Sequence, residues 1–442
     1  AMYIGLTPVL NGEMPDSDTY MRLVRVEELV SGNGWFNSTT QRMNAPFGDT
    51  LNWSRPLDVI IILAALPLHQ GFDVPWHEAL FWGGAVVSPL LQVLFGLAVA
   101  WMVAPFFASV TRPLLTLFVC AQPMVFIYSM VGRPDQPVLL LLSAALMLGF
   151  IIRALLQYAQ PLRMGLWAGL WAGFGLWVSP EFEFSFALVV GTLALMWLWQ
   201  GRHDILELLE GMGIGFLLLT MLAVLAERGD EWHTVRELDK VSLSQLLGAC
   251  INCGLWGMTA WLARAGSGIG RRFLALGSMG AGALFLLVLL APELLRGPAG
   301  DIDPRVMQEF FLHIREMRPL IPKDAKTTSL MLLGIGVPLL GLPLWLWFYR
   351  RKPLTPWLPL VVYTLAFSGF ALLHARFSQF AAPFGAVFLM AVVIRVGAQM
   401  EGKPLSLRVL AQAGLLVGPI ILALFVASAA TAPKGDEPEA CR

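Results

Sequence analysis

The 442-residue sequence is poor in charged residues and has no net charge. Charged residues make up 14% of the chain, against about 25% in an average soluble domain. Thirty basic and thirty acidic residues give a net charge of +0, so no overall basic field attracts nucleic acid. Apolar residues, in contrast, make up 57%, and the mean hydropathy is +0.68. Because a water-soluble domain has too little interior to bury this much apolar surface, the composition argues against a soluble enzyme and indicates a membrane protein.

Cysteine is also scarce, with four residues in the chain. Cys250 and Cys253 form a CxxC sequence, but it lies in the apolar run LLGACINCGLWGM. A structural zinc site needs further cysteine or histidine ligands, and none occur near this run. We therefore interpret the cysteines as packing residues.

The apolar residues fall into about twelve segments, each long enough to cross a bilayer as a helix of about 20 residues. The segments are 77–103, 105–127, 137–158, 164–179, 182–199, 205–225, 241–263, 273–292, 328–349, 355–373, 377–397 and 408–430. The opening AMYIGLTPVL resembles the end of one more span. The sequence thus predicts an all-α polytopic membrane protein of about 12–13 transmembrane helices. We expect a single domain over 1–430 and a polar tail over 431–442.

The loops between the predicted spans differ in charge. Basic residues in short loops mark the cytoplasmic side. Here they fall on alternate loops, at Arg163, Arg202, Arg264 with Arg271 and Arg272, Arg350 to Lys352, and Lys403 with Arg408. The opposite face receives two long loops, 7–76 and 292–327. This pattern predicts that the long loops face the periplasm or a topologically equivalent lumen, and we expect a protein of a bacterial inner membrane.

The first long loop, 7–76, contains two helical patterns. Residues 19–31 have helical periodicity with charge on one side. Residues 56–68 are apolar but short for a span, which is typical of an interfacial helix or of one buried among other helices.

Carboxylates occur on the predicted outer face, where an ionisable group at the membrane boundary is usually paired or functional. Asp16 and Asp18 precede the helix over 19–31, so they can bind one hard cation or cap that helix. Asp135 lies in the turn Val131–Gln136, and an ordinary turn also explains its Gly, Pro and Asp residues. Each signal therefore has a purely structural explanation as well as a functional one.

Two further outer segments carry charge. The loop 292–322 contains Glu316 among many charged residues, which a solvated loop also explains. His374 and Arg376 begin a predicted span, where the arginine can reach towards water or hold a lipid phosphate with its planar guanidinium. Together the four segments predict a site for a metal and a phosphate at the membrane boundary.

Short motifs at these positions resemble the membrane region of the catalytic subunit of oligosaccharyltransferase, and more broadly the polyprenyl-lipid-dependent glycosyltransferases of the GT-C superfamily. The motifs are Asp18-Thr-Tyr-Met, Gly132-Arg-Pro-Asp135-Gln, Ile314-Arg315-Glu316-Met-Arg-Pro319 and Arg376-Phe-Ser-Gln-Phe-Ala-Ala-Pro383. In order, they resemble the first-loop aspartate, the acidic turn of the second loop, the SVSE segment of the fifth loop and the RLMLVLAP stretch whose arginine contacts the lipid-linked phosphate. The order agrees along nearly the whole chain.

The sequence also departs from that family. The C-terminal soluble domain and its WWD motif are missing, which puts glycosylation of asparagine sequons in doubt. Asp16 makes a DxD sequence that is more typical of other GT-C enzymes. The second-loop turn has Asp135-Gln136 where the family often has two acidic residues.

The resemblance implies metal-assisted, inverting transfer of a sugar or glycan from a polyprenyl phosphate or pyrophosphate to an acceptor. It assigns the metal, Mg²⁺ or Mn²⁺, to Asp16, Asp18 and Asp135. Arg376 and His374 would contact the donor phosphate, and Glu316 would position or deprotonate the acceptor. Further candidates for the substrate cavity are Glu181, Arg133, Arg55, Trp53 and His313. For Trp53 and Arg55 we favour a surface turn.

The acceptor class stays open at the level of sequence. The missing soluble domain favours an envelope glycan or lipid as the acceptor. The alternative is a protein acceptor, which an oligosaccharyltransferase would use. A transporter or flippase for lipid-linked sugar, or a non-catalytic membrane subunit, would also carry these spans. Membrane lipids are implied as surroundings, and the sugar and the oligomeric state are not determined by these patterns.

Overall fold

The computed structural model describes residues 2–37, 39–42, 45–158, 160–263, 268–297, 300, 302–309 and 313–431. Over these residues the chain is almost entirely helical, with one antiparallel pair of two-residue strands, β1 (Thr39–Thr40) and β2 (Asp49–Thr50). The α-helices are α1 Met2–Leu10, α2 Ser17–Val30, α3 Arg55–Phe72, α4 Trp76–Val103, α5 Arg112–Cys120, α6 Pro123–Tyr128, α7 Pro137–Leu155, α8 Pro161–Val178, α9 Phe182–Gln200, α10 His203–Arg228, α11 Leu243–Ala263, α12 Ile269–Leu290, α13 Pro304–Glu309, α14 Ala325–Tyr349, α15 Leu358–Leu373, α16 Ser378–Gln399 and α17 Leu405–Thr431. The prediction of an all-α polytopic membrane protein is confirmed.

Nine helices within the described part of the chain are long and apolar enough to cross a membrane. They are α4, α7, α9, α10, α12, α14, α15, α16 and α17. The long central helices therefore agree with the pattern of apolar segments in the sequence.

Three of the twelve predicted spans are not among these nine helices. The predicted spans 164–179 and 241–263 form α8 and α11, which fall outside this set, and the span 105–127 is wrong. Residues 105–127 do not form one helix but the short helices α5 and α6. Pro123 begins α6, and a proline inside a longer helix would lack the backbone N–H that the helix needs and would clash with the preceding turn. The apolar run of 56–68 also differs in length from expectation, since it forms the 18-residue α3.

The chain divides into two compact units. Unit 1 consists of Ala1–Cys120, Val125–Asp303 and Leu354–Val362. Unit 2 consists of Ala121–Met124, Pro304–Pro353 and Tyr363–Arg442. The predicted polar tail lies outside the described residues from 432 onwards.

The helix contacts of unit 1 depend on small residues. Gly165 and Gly169 lie one turn apart on α8, and a Cβ on Gly169 would clash with the carbonyl oxygen of Met212 on α10. Gly211 and Gly215 lie one turn apart on α10, where a Cβ would clash with the α8 carbonyls of Leu162 and Leu166. Close backbone approach at such small-xxx-small positions is a common mode of helix association in membranes. The Trp-Ala-Gly repeats of α8 therefore pack helices together.

Unit 2 is built around α16, whose residues 378–393 are buried without interruption. Tyr363 and Phe367 of α15 pack against Phe384 and Phe380 of α16, with ring centroids 5.2 and 4.8 Å apart respectively. Elsewhere in unit 2, the Ser329 hydroxyl of α14 donates a 2.8 Å hydrogen bond to the Ala423 carbonyl of α17. The aromatic contacts with α15 hold the first turns of α16.

Candidate active site

The first predicted carboxylate pair lies at the start of α2, and its two members differ in role. Asp16 is the N-cap, because its Oδ1 accepts hydrogen bonds from the backbone N–H of Thr19 at 2.9 Å and from the Thr19 hydroxyl at 2.7 Å. Asp18 lies in the first turn of the helix with an exposed side chain. The capping explanation is therefore correct for Asp16, while the Asp18 side chain is not used by the cap.

The turn before α7 packs onto this start of α2. Gly132 has φ +83°, and a Cβ there would meet Val9 at 2.5 Å and Pro15 at 3.1 Å. Its N–H donates to the Ala85 carbonyl of α4 at 2.9 Å. Only glycine adopts this conformation without strain and leaves room for such an approach. Glycine at 132 thus brings the second-loop turn against the segment that carries Asp16.

Arg133 connects the two segments. Its Nε lies 3.5 Å from Oδ2 of Asp16 and 3.6 Å from Oδ2 of Asp135. The guanidinium also lies over the Tyr128 ring, 4.9 Å from the centroid. Ser88 of α4 fixes the turn, because its hydroxyl donates to the Arg133 carbonyl and accepts from the Asp135 N–H at 3.3 Å. The structure therefore brings Asp16 next to Arg133 and Asp135, which lie far from it in the sequence.

Asp18 belongs to the same electrostatic cluster. Loss of hydration raises the pKa of its carboxyl above the usual value, and repulsion from Asp16 and Asp135 raises that pKa further. Arg133 and Arg22 lower the pKa in part. We call the four residues Asp16, Asp18, Arg133 and Asp135 the carboxylate cluster.

The carboxylate cluster has oxygen ligands but is not a complete metal site. No three histidine, cysteine or acidic residues of the described chain lie close enough together to hold a metal ion by themselves. Mg²⁺, however, is usually held by one or two carboxylates, several waters and substrate phosphates. Asp18 and Asp135 fit that mode, since Asp18 is exposed and crowded by negative charge and Asp135 is half-buried beside it.

Glu316, His374 and Arg376 lie in unit 2. Glu316 lies in a short 3-10 helix, Arg315–Met317, and Arg376 lies in another, Ala375–Phe377. The two segments are joined by a hydrogen bond from the Ala375 N–H to the Arg318 carbonyl at 2.9 Å and by a 2.9 Å contact of the His374 ring Nδ1 with the Met317 carbonyl. The structure thus brings the segment of Glu316 next to the segment of Arg376.

The remaining candidates occupy varied positions. His313 is exposed, and its backbone carbonyl accepts a hydrogen bond from the Arg318 guanidinium. Glu181 is nearly buried at the start of α9. The expectation of a surface turn at Trp53 and Arg55 is wrong, because Arg55 is 2% exposed and Trp53 is half-buried under the guanidinium of Arg22, at 4.2 Å.

A buried charge cluster behind α2 was not predicted. Asp58 of α3 is fully buried and lies 3.5 Å from Arg22, 3.2 Å from Arg25 and 3.2 Å from Arg55. The side-chain nitrogens of Arg25 make no hydrogen bond within the described chain. The ion pair with Asp58 is therefore its main source of negative charge, and the same carboxylate also pairs with Arg22 and Arg55. One sequence signal was available, because a carboxylate in the apolar run PLDVIIILAALPL is costly and so usually paired.

The buried charge cluster continues into a second ion pair. The Arg55 N–H donates to Oε1 of Glu227 at 2.7 Å, and Trp177 Nε1 donates to the same oxygen at 2.8 Å. Lys240 Nζ lies 2.8 Å from Oε2 of Glu227. Burial lowers the pKa of the Lys240 ammonium, although Glu227 opposes that shift.

Comparison with solved structures places this fold beside an archaeal oligosaccharyltransferase. Oligosaccharyltransferase AglB from Archaeoglobus fulgidus, in complex with an inhibitory peptide and a dolichol-phosphate, matches with a TM-score of 0.70 and 15% identity over 95% of this chain and 52% of that chain. Two further structures of the Archaeoglobus fulgidus enzyme match at 14% identity over 96% of this chain. One is tethered to an acceptor peptide containing the NVT sequon (TM-score 0.68, 52% of that chain), and the other is a complex with Zn and sulfate (TM-score 0.65, 50% of that chain).

The likeness is one of fold. The chain has the architecture of these oligosaccharyltransferases over nearly its whole length, and it spans about half of theirs. No family model matches the sequence, and no curated protein matches it. The resemblance to the membrane region of that GT-C enzyme, expected from four short motifs, is thus confirmed at the level of structure.

Proposed function

We propose that this chain is a GT-C glycosyltransferase that moves a sugar or glycan from a polyprenyl-linked phosphate or pyrophosphate to an acceptor. The observation that carries the proposal is the carboxylate cluster, in which Arg133 lies beside both Asp16 and Asp135 and Asp18 feels the charge of both carboxylates, at the positions that the sequence motifs single out. The shared fold supports it, since one matching oligosaccharyltransferase was solved with a dolichol-phosphate. Fold alone does not define chemistry, so the proposal rests on the cluster.

The proposal assigns a role to each side chain. Asp18 and Asp135 would hold a divalent cation, while Asp16 caps α2 and shares Arg133 with Asp135. The cation, when bound, stabilises negative charge on the leaving phosphate. The motif resemblance assigns Arg376, with its fixed positive charge, to the donor phosphate.

Glu316 takes the proton of the acceptor hydroxyl in this mechanism. The acceptor oxygen then forms a bond to the anomeric carbon, and the bond from that carbon to the phosphate oxygen breaks. The electron pair leaves with the phosphate, and the configuration at the anomeric carbon inverts.

The proposed location is a bacterial inner membrane, with the carboxylate cluster facing the periplasm. Basic residues follow the ends of α9, α14 and α16, at Arg202, at Arg350 to Lys352, and at Lys403. The carboxylate cluster lies at the opposite end of α7 from Arg153, which is in the last turn of that helix. Both observations follow the positive-inside rule.

The proposed acceptor is an envelope glycan or lipid. A protein acceptor is the second candidate, because one matching structure carries a tethered acceptor peptide. That structure belongs to a chain of which this one covers 52%, so the acceptor has to be tested directly.

The test is transfer by the purified protein in liposomes, using lipid-linked saccharides extracted from membranes of the source cells and an envelope glycan fraction. We expect Mg²⁺-dependent transfer by the wild type, and a fall of about 100-fold or more in Asp18→Asn, Asp135→Asn and Glu316→Gln. Asp73→Asn is the control, since this exposed αL residue tolerates asparagine.

Undiminished transfer by all three variants, with chelation of metal harmless, would overturn the mechanism. Movement of the labelled donor across the vesicle membrane without transfer would instead identify a flippase.

A further inference from the structure

A second site is visible in unit 1 as a pocket of about 720 Å³. One wall comes from the segment that contains β1 and β2, and the other comes from residues 227–240 that follow α10. This volume lies within the range of about 300–1,000 Å³ that is typical of small-molecule sites. The carboxylate cluster does not contribute to its lining.

The lining is strongly acidic. Its carboxylates are Glu227, Asp230, Glu231, Glu237 and Asp239, and its cations are Arg228 and Lys240. Five carboxylates against two cations leave a formal charge of −3. Both cations are already paired, Lys240 with Glu227 at 2.8 Å and Arg228 with Glu237 at 2.7 Å. The excess negative charge therefore favours a ligand with positive charge.

Two of these carboxylates are available to a ligand. Asp230 and Glu231 are exposed, and within the described chain neither side chain forms an ion pair. They lie in the short 3-10 helix Gly229–Glu231, directly after α10. A bound ammonium group would pair with them without displacing an existing partner.

An aromatic ring gives the pocket an apolar surface. Phe36 lines it and is 60% exposed. The ring lies directly on Gly229, where φ is +52° and a Cβ would meet the ring at 2.9 Å. A large exposed aromatic side chain held against backbone is suited to stacking on a flat apolar face such as that of a sugar ring.

Uncharged hydrogen-bonding groups complete the lining. Asn37, Asn52, Thr39 and Thr50 also line the pocket. Amides and hydroxyls both donate and accept, as hydroxyl groups of a saccharide require. A basic peptide would use the carboxylates but has no need of this mixed lining.

Hydrogen bonds and ion pairs hold the wall of the pocket in place. Glu227 is 4% exposed and is held by the Arg55 N–H and by Trp177. The Arg55 side chain donates to the carbonyls of Trp35 and Asn37 and pairs with Asp58. The buried charge cluster thus fixes both sides of the pocket, which favours a preformed site.

We propose that this pocket binds a short saccharide that bears at least one free amine. The charge, the aromatic ring and the mixed amide and hydroxyl lining together determine its chemical class.

The experiment measures binding by calorimetry on the full chain in detergent, so it needs no turnover. The probes are a trimer of glucosamine with free amines, the same trimer fully N-acetylated, and trilysine. We expect the free-amine trimer to bind at least about tenfold tighter than either of the others, and its affinity to fall as salt is raised.

The variants separate the pocket from general surface charge. Asp230→Asn with Glu231→Gln should lower the affinity for the free-amine trimer at least about tenfold, and Phe36→Ala should lower it as well. Glu78→Gln with Glu401→Gln is the matched control, since both carboxylates are exposed and outside the pocket. Substitutions at exposed positions should leave folding intact, which a melting curve checks.

The proposal is overturned if the acetylated trimer binds equally well, if trilysine binds as tightly, or if no probe binds. It is also overturned if the control pair loses affinity as much as Asp230→Asn with Glu231→Gln. A protein that binds the free-amine trimer through Asp230 and Glu231 but transfers no sugar would remove the proposed function and keep the pocket. A protein that transfers sugar but shows no preference for the free-amine trimer would keep the proposed function and remove the proposal for the pocket.

Discussion

At the scale of single residues, the Asp-Ser-Asp sequence at the start of α2 combines two different functions. Asp16 accepts hydrogen bonds at the helix N-terminus, and Asp18 presents its carboxyl to the carboxylate cluster. The sequence located both residues but could not separate them, because aspartate suits a cap and a cation equally well. The separation depends on which carboxylate faces the Thr19 N–H, and only the folded structure determines that.

This division predicts different outcomes for two substitutions of the same kind. Asp16→Asn should keep both stability and transfer activity, because asparagine caps helices as well as aspartate. Asp18→Asn should fold normally and lose transfer. Melting curves and transfer assays on the two variants check this.

Asp16→Ala provides the internal control for the cap, since its loss costs about 1 kcal/mol of stability. Loss of transfer in a stable Asp16→Asn protein would show that Asp16 is also a ligand.

Asp58 illustrates a residue whose importance depends on partners distant in sequence. Arg22 and Arg25 come from α2, and Arg55 precedes Asp58 by three positions on α3. The charge of Asp58 inside an apolar run was visible in the sequence, but the identity of its partners was not. A pairing between helices is set by packing, which a single sequence does not reveal.

We predict that Asp58→Asn destabilises the protein severely, by about 3–5 kcal/mol, because it leaves three buried guanidiniums without a carboxylate. Thermal unfolding in detergent measures the effect. Asp73→Asn is the matched control, since Asp73 directly follows α3 and is exposed.

A second substitution separates charge from packing at this site. Arg25→Met in the Asp58→Asn background should restore part of the stability, because it removes one uncompensated charge. A double variant no more stable than Asp58→Asn would contradict this explanation.

At the scale of helices, the contact of α8 with α10 depends on where the glycines of each helix lie. Glycines at a spacing of four on both helices let the two backbones touch. The repeated small and large residues of α8 predicted helix packing, but not which helix would be the partner. Likewise, hydropathy located the spans but joined α5 and α6, because it weighs apolar content and ignores the helix break at Pro123.

The α8 and α10 contact predicts that Gly169→Ala destabilises the protein, because the new methyl would clash with the Met212 carbonyl of α10 and force the helices apart. The apparent melting temperature in detergent should fall by several degrees. Gly191→Ala in α9 is the control, because a Cβ there meets nothing within 4 Å. Equal melting temperatures for the two variants would show that the close contact does not limit stability.

At the scale of the whole molecule, the sequence predicted the fold class well because bilayer thickness imposes one length on every span. Four short motifs also pointed to the fold that the oligosaccharyltransferase structures share at 14–15% identity. The acidic pocket after α10 was not predicted, because its walls come from two segments that contact each other only in the fold. Local sequence patterns identify individual helices, but a site whose residues come from distant helices and loops is recognised only in the folded structure.

The central claim is that the chain consumes a polyprenyl-linked sugar donor by means of Asp18. The most direct measurement is mass spectrometry of lipid-linked saccharides in cells of the source organism that lack the chain and are complemented with the wild type or with Asp18→Asn. We predict that a polyprenyl-linked saccharide accumulates with Asp18→Asn, as it does without the chain, and returns to a low level with the wild type. An identical pool of lipid-linked saccharides in wild-type and Asp18→Asn cells would contradict the account.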